Sequence, residues 1–205
     1  MKRILLCTFA LFASTMISQQ AYALFEARVT YGLLASKPDL NSLFTGSPSN
    51  LPAVAPTYGL GADVIVTPPF FPFGFGFRYE NMGVDASSGG MEFKANYTRT
   101  ALLVNYRIID TLIFLGPIAS YGLSHSGNIK AIENGTETSN LSSSSISSYS
   151  IGLEGGVKLI GFHLGAEVGY EDLRWKNAQD SHGAIANQDI NMSGSYAKVL
   201  LGFGI

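Results

Sequence analysis

The amino-acid sequence predicts an all-β protein: an eight-stranded antiparallel transmembrane β-barrel with up-and-down strand order, preceded by a cleaved signal peptide. Three observations predict this fold: a secretory signal at the start, eight segments of alternating apolar and polar residues, and connections that are alternately long and short. After residue 23 no apolar run approaches the roughly 18 residues that a membrane helix needs. If the chain after residue 23 spans a membrane, it must therefore span it with β-strands.

The composition of the 205 residues agrees with this class. Hydrophobic residues make up 46% and charged residues 14%, which is too apolar for a disordered chain. Gly contributes 23 residues, Phe 13 and Tyr 10, a balance that favours strands and tight turns. The net charge of −2 and the lack of a basic run exclude a broadly basic nucleic-acid binder.

The start of the chain has the three parts of a secretory signal. Two basic residues follow Met1, an apolar stretch covers 4–17, and a small-x-small pattern ends at Ala23. We expect cleavage after Ala23, which leaves 24–205 as a single barrel domain. The alternative, an uncleaved anchor, conflicts with the short apolar stretch. Cys7 is the single cysteine and lies in the signal, so the mature chain forms no disulfide.

Eight segments follow in which apolar residues alternate with polar or small ones. In the first, Phe25, Val29 and Tyr31 alternate with Glu26 and Arg28. The segments cover 25–33, 57–67, 73–80, 99–108, 113–124, 149–159, 162–171 and 196–205. Each is close to the length of about 9–11 residues that a tilted strand needs to cross a bilayer. A soluble sandwich has shorter strands and a buried apolar face, whereas here the polar face carries glycines and charges that suit a narrow interior.

The connections between these segments alternate in length, as they do in membrane barrels. The short ones are 68–72, 109–111 and 160–161, and the longer ones are 36–56, 84–91, 125–147 and 172–192. The serine-rich part over 133–148 is too polar to bury a core, so we expect it to be mobile. The first long connection holds five apolar residues, which predict either a partner or lipid contact or a lid over the barrel mouth.

The closing segment carries the alternation to the end of the chain, with Leu201, Phe203 and Ile205 on one face. Over 24–205 the chain resembles the small eight-stranded outer-membrane barrels of the OmpA/OmpX type. The resemblance implies location in the outer membrane of a Gram-negative bacterium, among outer-membrane lipid and lipopolysaccharide. It also implies that the barrel assembly machinery recognises the closing strand through Tyr196, Leu201, Phe203 and Ile205. Such strands most often end in Phe or Trp, and this one departs from that pattern.

The alternation places six acidic and six basic side chains inside the barrel. They are Glu26, Asp63, Glu80, Glu154, Glu167 and Glu171, with Arg28, Arg78, Arg99, Arg107, Lys158 and Lys198. His163 joins them and is expected near Glu167. Eight strands enclose a space that side chains just fill, and an unpaired charge there costs roughly several kcal/mol. We interpret the set as a plugged, charge-paired interior, with a narrow gated pore as the alternative.

The expected role is therefore envelope structure or surface interaction through extracellular loops, where an extracellular ligand would bind. The alternatives are a narrow pore or transporter for small, hydrophobic molecules and, third, a lipid A-modifying enzyme. Enzymes of this barrel shape use a His and Ser pair on the outer face, but Ser124 and His125 are consecutive and point to opposite faces of a strand. We predict no enzymatic activity and no catalytic, cofactor-binding or metal-binding residues.

Overall fold

The structure is a computed structural model that describes residues 25–36, 57–69, 71–88, 90–143, 145–181 and 188–204. The predicted signal peptide, the apolar residues of the first long connection and Ile205 lie outside these ranges. Within them, no helix is long and apolar enough to cross a membrane.

Eleven strands form where apolar, aromatic and β-branched residues alternate with polar or small ones, a pattern that favours a pleated strand. In the described residues they are β1 (Phe25–Ala35), β2 (Thr57–Val66), β3 (Phe73–Ser88), β4 (Met91–Tyr106), β5 (Ile109–Asp110), β6 (Ile113–Glu133), β7 (Thr136–Ser142), β8 (Ser145–Leu159), β9 (Phe162–Asp180), β10 (Gln188–Asn191) and β11 (Gly194–Gly204).

These strands close into a ring with eight positions. All pairs are antiparallel, in the order β1, β2, β3, β4, β6, β8, β9, β11 and back to β1. The three remaining strands extend members of the ring: β5 pairs with the start of β6, β7 with β6 and β9, and β10 with β9. The predicted eight-stranded up-and-down barrel is confirmed.

The outward face of the ring is apolar and bordered by aromatic side chains at both ends. The end with the short connections, called the short-turn end below, exposes Phe25, Phe71, Phe73, Phe162 and Phe203. Towards the opposite, extended end, a tyrosine ring is formed by Tyr31, Tyr79, Tyr121, Tyr149 and Tyr170. Between them lies a band of exposed Leu, Val and Ile side chains, the surface expected of a barrel that faces lipid.

The predicted connections 84–91, 125–147 and 172–192 are largely strands where the structure describes them, so those predictions were wrong, whereas the connection 36–56 lies outside the described residues beyond residue 36. Strand β3 continues to Ser88 and β4 starts at Met91, β6 continues to Glu133, and β9 continues to Asp180. The serine-rich part that we expected to be mobile forms β7 and the start of β8. A tight turn at 134–135 with two left-handed residues joins β6 to β7, as an Asn-Gly hairpin requires.

The strands beyond the tyrosine ring, called the extension below, have their own apolar core. It consists of Leu34, Met82, Tyr97, Ile129, Ala131, Leu141, Leu173, Trp175, Ala178, Ile190, Met192 and Tyr196, with Ala95 and Ile146 packed against it. A bulge opposite Thr100 and Ala101 leaves both Leu123 and Ser124 exposed and reverses the parity of β6 beyond it. Ser124, which continues the polar, inward face of the predicted segment 113–124, therefore faces outward.

Candidate functional site

The interior of the barrel holds the six acidic residues, the six basic residues and His163 that the alternation assigned to it. Twelve of them are buried, and Lys158 at the short-turn end keeps 14% of its side chain exposed. The apolar Ile65, Leu103 and Ile118 are also inward and form a small cluster among the charges. Because inward residues of each strand alternate with lipid-facing ones, the register of the ring fixes which charges meet.

At the short-turn end, two carboxylates share two arginines. Glu26 accepts hydrogen bonds from Arg28 Nε at 2.6 Å and from Arg107 Nη2 at 2.8 Å. Glu154 accepts from Arg28 Nη1 at 2.5 Å and from Arg107 Nε at 3.3 Å. His163 contacts Glu26 at 2.7 Å through Nδ1, so its partner is on β1 and is not Glu167 as expected.

In the middle of the barrel, Arg78 links opposite walls. It donates to Asp63 through Nε and Nη2 at 2.8 and 2.9 Å, and to Glu167 through Nη1 and Nη2 at 2.8 and 2.6 Å. Strands β3 and β9, which carry Arg78 and Glu167, are four positions apart in the eight-membered ring. Bidentate guanidinium–carboxylate pairs are strong and directional, so this one spans the full width of the lumen.

A further set of bonds lies next to this pair, towards the extended end. Arg99 donates from Nε to Glu80 at 2.5 Å and from Nη1 to Glu171 at 2.6 Å. Lys198 on β11 also bonds Glu80 across the lumen. Tyr196 donates its hydroxyl to Glu167 at 2.7 Å. The network therefore continues from the short-turn end to the edge of the extension.

Sequence reasoning missed one carboxylate of the interior. Asp110 lies in β5 within the predicted tight turn, and its side chain is 1% exposed. It forms the ion pair of Lys158 and lies 3.7 Å from Arg107. No alternation marks a two-residue strand, and the six acidic and six basic inward residues already balanced without Asp110, so the sequence carried no signal for it.

Inward glycines leave room for the large side chains that fill the lumen. A Cβ on Gly156 or Gly165 would lie 2.8 or 2.7 Å from the ring of Phe114. A Cβ on Gly202 would lie 3.0 Å from the side chain of Arg28. The glycines on the polar face therefore indicate a packed interior and not an open channel.

A Ser–His pair does occur, between residues that sequence reasoning did not connect. His125 Nε2 lies 2.9 Å from Ser148 Oγ, and Arg99 donates to the same hydroxyl at 3.0 Å. Burial, and then the charge of Arg99, lower the pKa of His125, which lies beyond the tyrosine ring. Ser148 is buried in the lumen and its oxygen already accepts from a guanidinium, so it is a poor nucleophile for a lipid substrate. Ser124 faces the other way.

The closing strand divides the four residues of the predicted assembly signal. Leu201 and Phe203 face outward, and Phe203 contacts Phe162 edge to face at 5.5 Å between ring centroids. Tyr196 faces the interior and is 3% exposed, so it belongs with the charged network. Ile205 lies outside the described residues.

The closed ring of eight antiparallel strands, its apolar outer face and its charged interior define a small β-barrel of the outer-membrane type. No family model and no curated protein matches the chain. Among solved structures it is similar to the crystal structure of Neisserial surface protein A, with a TM-score of 0.46 and 11% identity over 88% of this chain and 96% of that one. The assignment of the fold rests on the strand pairing of this chain itself.

Proposed function

We propose that the protein is an integral outer-membrane barrel of a Gram-negative bacterium that acts in envelope structure or surface interaction through its extended end. The observation that carries this proposal is the Arg78 bridge across the lumen, to Asp63 on one side and Glu167 on the other. We infer that such bonds leave no continuous water path through the lumen. The function would then depend on the outer surfaces of the barrel.

The orientation follows from the connections. Short turns of membrane barrels face the periplasm, and the longer structures face outward. The described ends of the chain, Phe25 in β1 and Gly204 in β11, both lie at the short-turn end. The predicted signal peptide supports export, and the outward residues of the closing strand support recognition by the barrel assembly machinery. The extension would then be extracellular. The predicted ligand would bind the strands of the extension and not a mobile loop.

The alternatives in transport and catalysis have less support. A narrow pore would need water to pass between the cross-lumen bonds of Arg78, Arg99 and Lys198. A lipid-modifying enzyme would need its nucleophile on the outer face, whereas Ser148 lies inside. We therefore infer that the protein is neither a pore nor an enzyme.

Single-channel conductance tests the proposal. The mature chain, residues 24–205, is refolded, checked for its folded form by gel shift, and inserted into a planar bilayer. We expect no discrete steps. The double variant Arg78→Ala with Glu167→Ala, which removes the bridge, serves as the control in which a leak becomes detectable. Discrete steps from the folded wild-type protein would overturn the closed-lumen proposal and favour transport.

A further inference from the structure

The outward face of the barrel changes from apolar to hydroxyl-bearing at the tyrosine ring. Exposed or half-buried hydroxyl groups at or directly beyond it are Thr98, Thr100, Ser124, Ser126, Ser147 and Ser195, called the hydroxyl collar below. On β9 alternate positions pass from the exposed Tyr170 through Asp172, which is buried, to the exposed Arg174. Ser147 of the collar is the register partner of Arg174. A guanidinium thus lies within the collar, next to the lipid-facing band.

Neighbouring residues hold Arg174 in place. Asp172 accepts a hydrogen bond from Arg174 Nε at 2.8 Å and from Ser193 Oγ at 2.9 Å. Burial opposes ionisation of Asp172, but the hydrogen bonds from Arg174 and Ser193 outweigh it and lower the pKa of this carboxyl. Arg174 makes this hydrogen bond through Nε, so the bond to Asp172 does not use the two terminal amino groups of the guanidinium. The Arg174 side chain is 57% exposed.

The height of Arg174 matches the phosphate level of a membrane. It lies two residues beyond the level of Tyr149, whose register partner is Asp172, and four residues beyond Tyr170 on its own strand. At about 3.3 Å per residue and a strand tilt near 40°, this is roughly 5–10 Å beyond the tyrosine ring. Tyrosines mark the boundary of the hydrocarbon region, so the guanidinium lies at the depth of the headgroups.

We propose that Arg174 and the hydroxyl collar bind the phosphorylated sugar headgroup of the outer-leaflet glycolipid. The guanidinium fork matches a phosphate, and the serine and threonine hydroxyls match the hydroxyls of a sugar. The surface is continuous with the lipid-facing band, so a lipid is already its neighbour. This inference rests on the proposed function in one respect, because it requires the extended end to face the outer leaflet.

Thermal unfolding in vesicles tests the proposal. The folded protein is placed in phosphatidylcholine vesicles alone, with bis-phosphorylated lipid A, with dephosphorylated lipid A, or with phosphatidylglycerol. Gel shift gives the unfolding midpoint. We expect phosphorylated lipid A to raise the midpoint by several degrees, because it binds the folded form alone. Arg174→Gln should abolish this rise. Lys94→Gln, an outward ion-paired lysine further from the tyrosine ring, is the matched control and should keep it.

Three outcomes would overturn the proposal: an equal rise in Arg174→Gln, an equal rise with dephosphorylated lipid A, or an equal rise with phosphatidylglycerol, which would assign the site to phospholipid. These outcomes are separate from a failure of the proposed function. A wild-type barrel that conducts but keeps the Arg174-dependent rise contradicts the closed lumen and leaves the glycolipid site standing. A silent barrel without the rise contradicts the glycolipid site alone.

Discussion

Replacing Arg78 with Met tests whether the lumen is as closed as its ion pairs indicate. Arg78 is 1% exposed and makes four hydrogen bonds of 2.6–2.9 Å to Asp63 and Glu167. Met keeps much of the volume of the side chain but leaves two buried carboxylates without their cation. Removal of one partner from a buried ion pair costs about 3–5 kcal/mol. With a urea dependence near 2 kcal/mol per molar, the unfolding midpoint should fall by roughly 1.5–2.5 M.

The assay is urea unfolding of the refolded protein, followed by gel shift. The matched control is Lys130→Met, which breaks an ion pair with Glu137 whose side chains are about one-third exposed. We expect this surface change to alter the free energy of unfolding by about 1 kcal/mol at most. Adding Asp63→Asn and Glu167→Gln to Arg78→Met removes the uncompensated charges and should recover part of the lost stability.

A small effect of Arg78→Met would refute this reasoning. If the free energy of unfolding changes by no more than it does in Lys130→Met, water must reach the carboxylates and replace the guanidinium. The interior would then be wet, and the proposal of a closed lumen would lose its main support.

Three further predictions use the same urea assay. Gly165→Leu should prevent folding because its Cβ would lie 2.7 Å from the ring of Phe114, whereas Gly83→Ala, with nothing within 4 Å of its Cβ, should fold normally. Ile160→Asn should stabilise the barrel by about 1 kcal/mol, since a β-branched residue at φ 33° is strained where Asn is not; a loss of stability would mean that the isoleucine is buried in lipid. The pKa of His125 is lowered from 6.5 in the folded state, so the unfolded state takes up a proton more readily. The free energy of unfolding is therefore highest above pH 6.5 and decreases as the pH falls below that value. His125→Gln should remove this loss, and an unchanged pH dependence in that variant would contradict it.

The membrane-spanning part could be predicted because its alternation is strong and long. From Phe25 to Tyr31 every second side chain is apolar, so the face of Glu26 and Arg28 follows from parity alone. Charges inside a narrow barrel must pair, and that requirement predicts the presence of ion pairs. It does not predict which pairs form. His163 was expected near Glu167 and contacts Glu26, because the register between strands distant in sequence decides the partner.

The extension could not be predicted because its inward residues are few and its outward residues are polar. Ile129 and Leu141 are fully buried, but they lie among serines, asparagines and lysines that suggest a loop. The bulge at Leu123 and Ser124 reverses which residues of β6 face inward, and no residue type in the sequence predicts this reversal. The same change brings His125 to Ser148, 23 residues away, which is why that contact was not predicted.

In the orientation that we propose, the wall of the extension is the surface that an outside molecule meets. Asn128 is the register partner of Asn96 on β4 and of Ser142 on β7, so one outward row of the pleated sheet combines β4 with the β6–β7 hairpin. An antibody or phage protein that contacts Asn96 together with this hairpin would recognise a conformational epitope that a short linear peptide does not reproduce. Surface variation is likewise restricted to every second residue, since the residues between them fill the core of the extension.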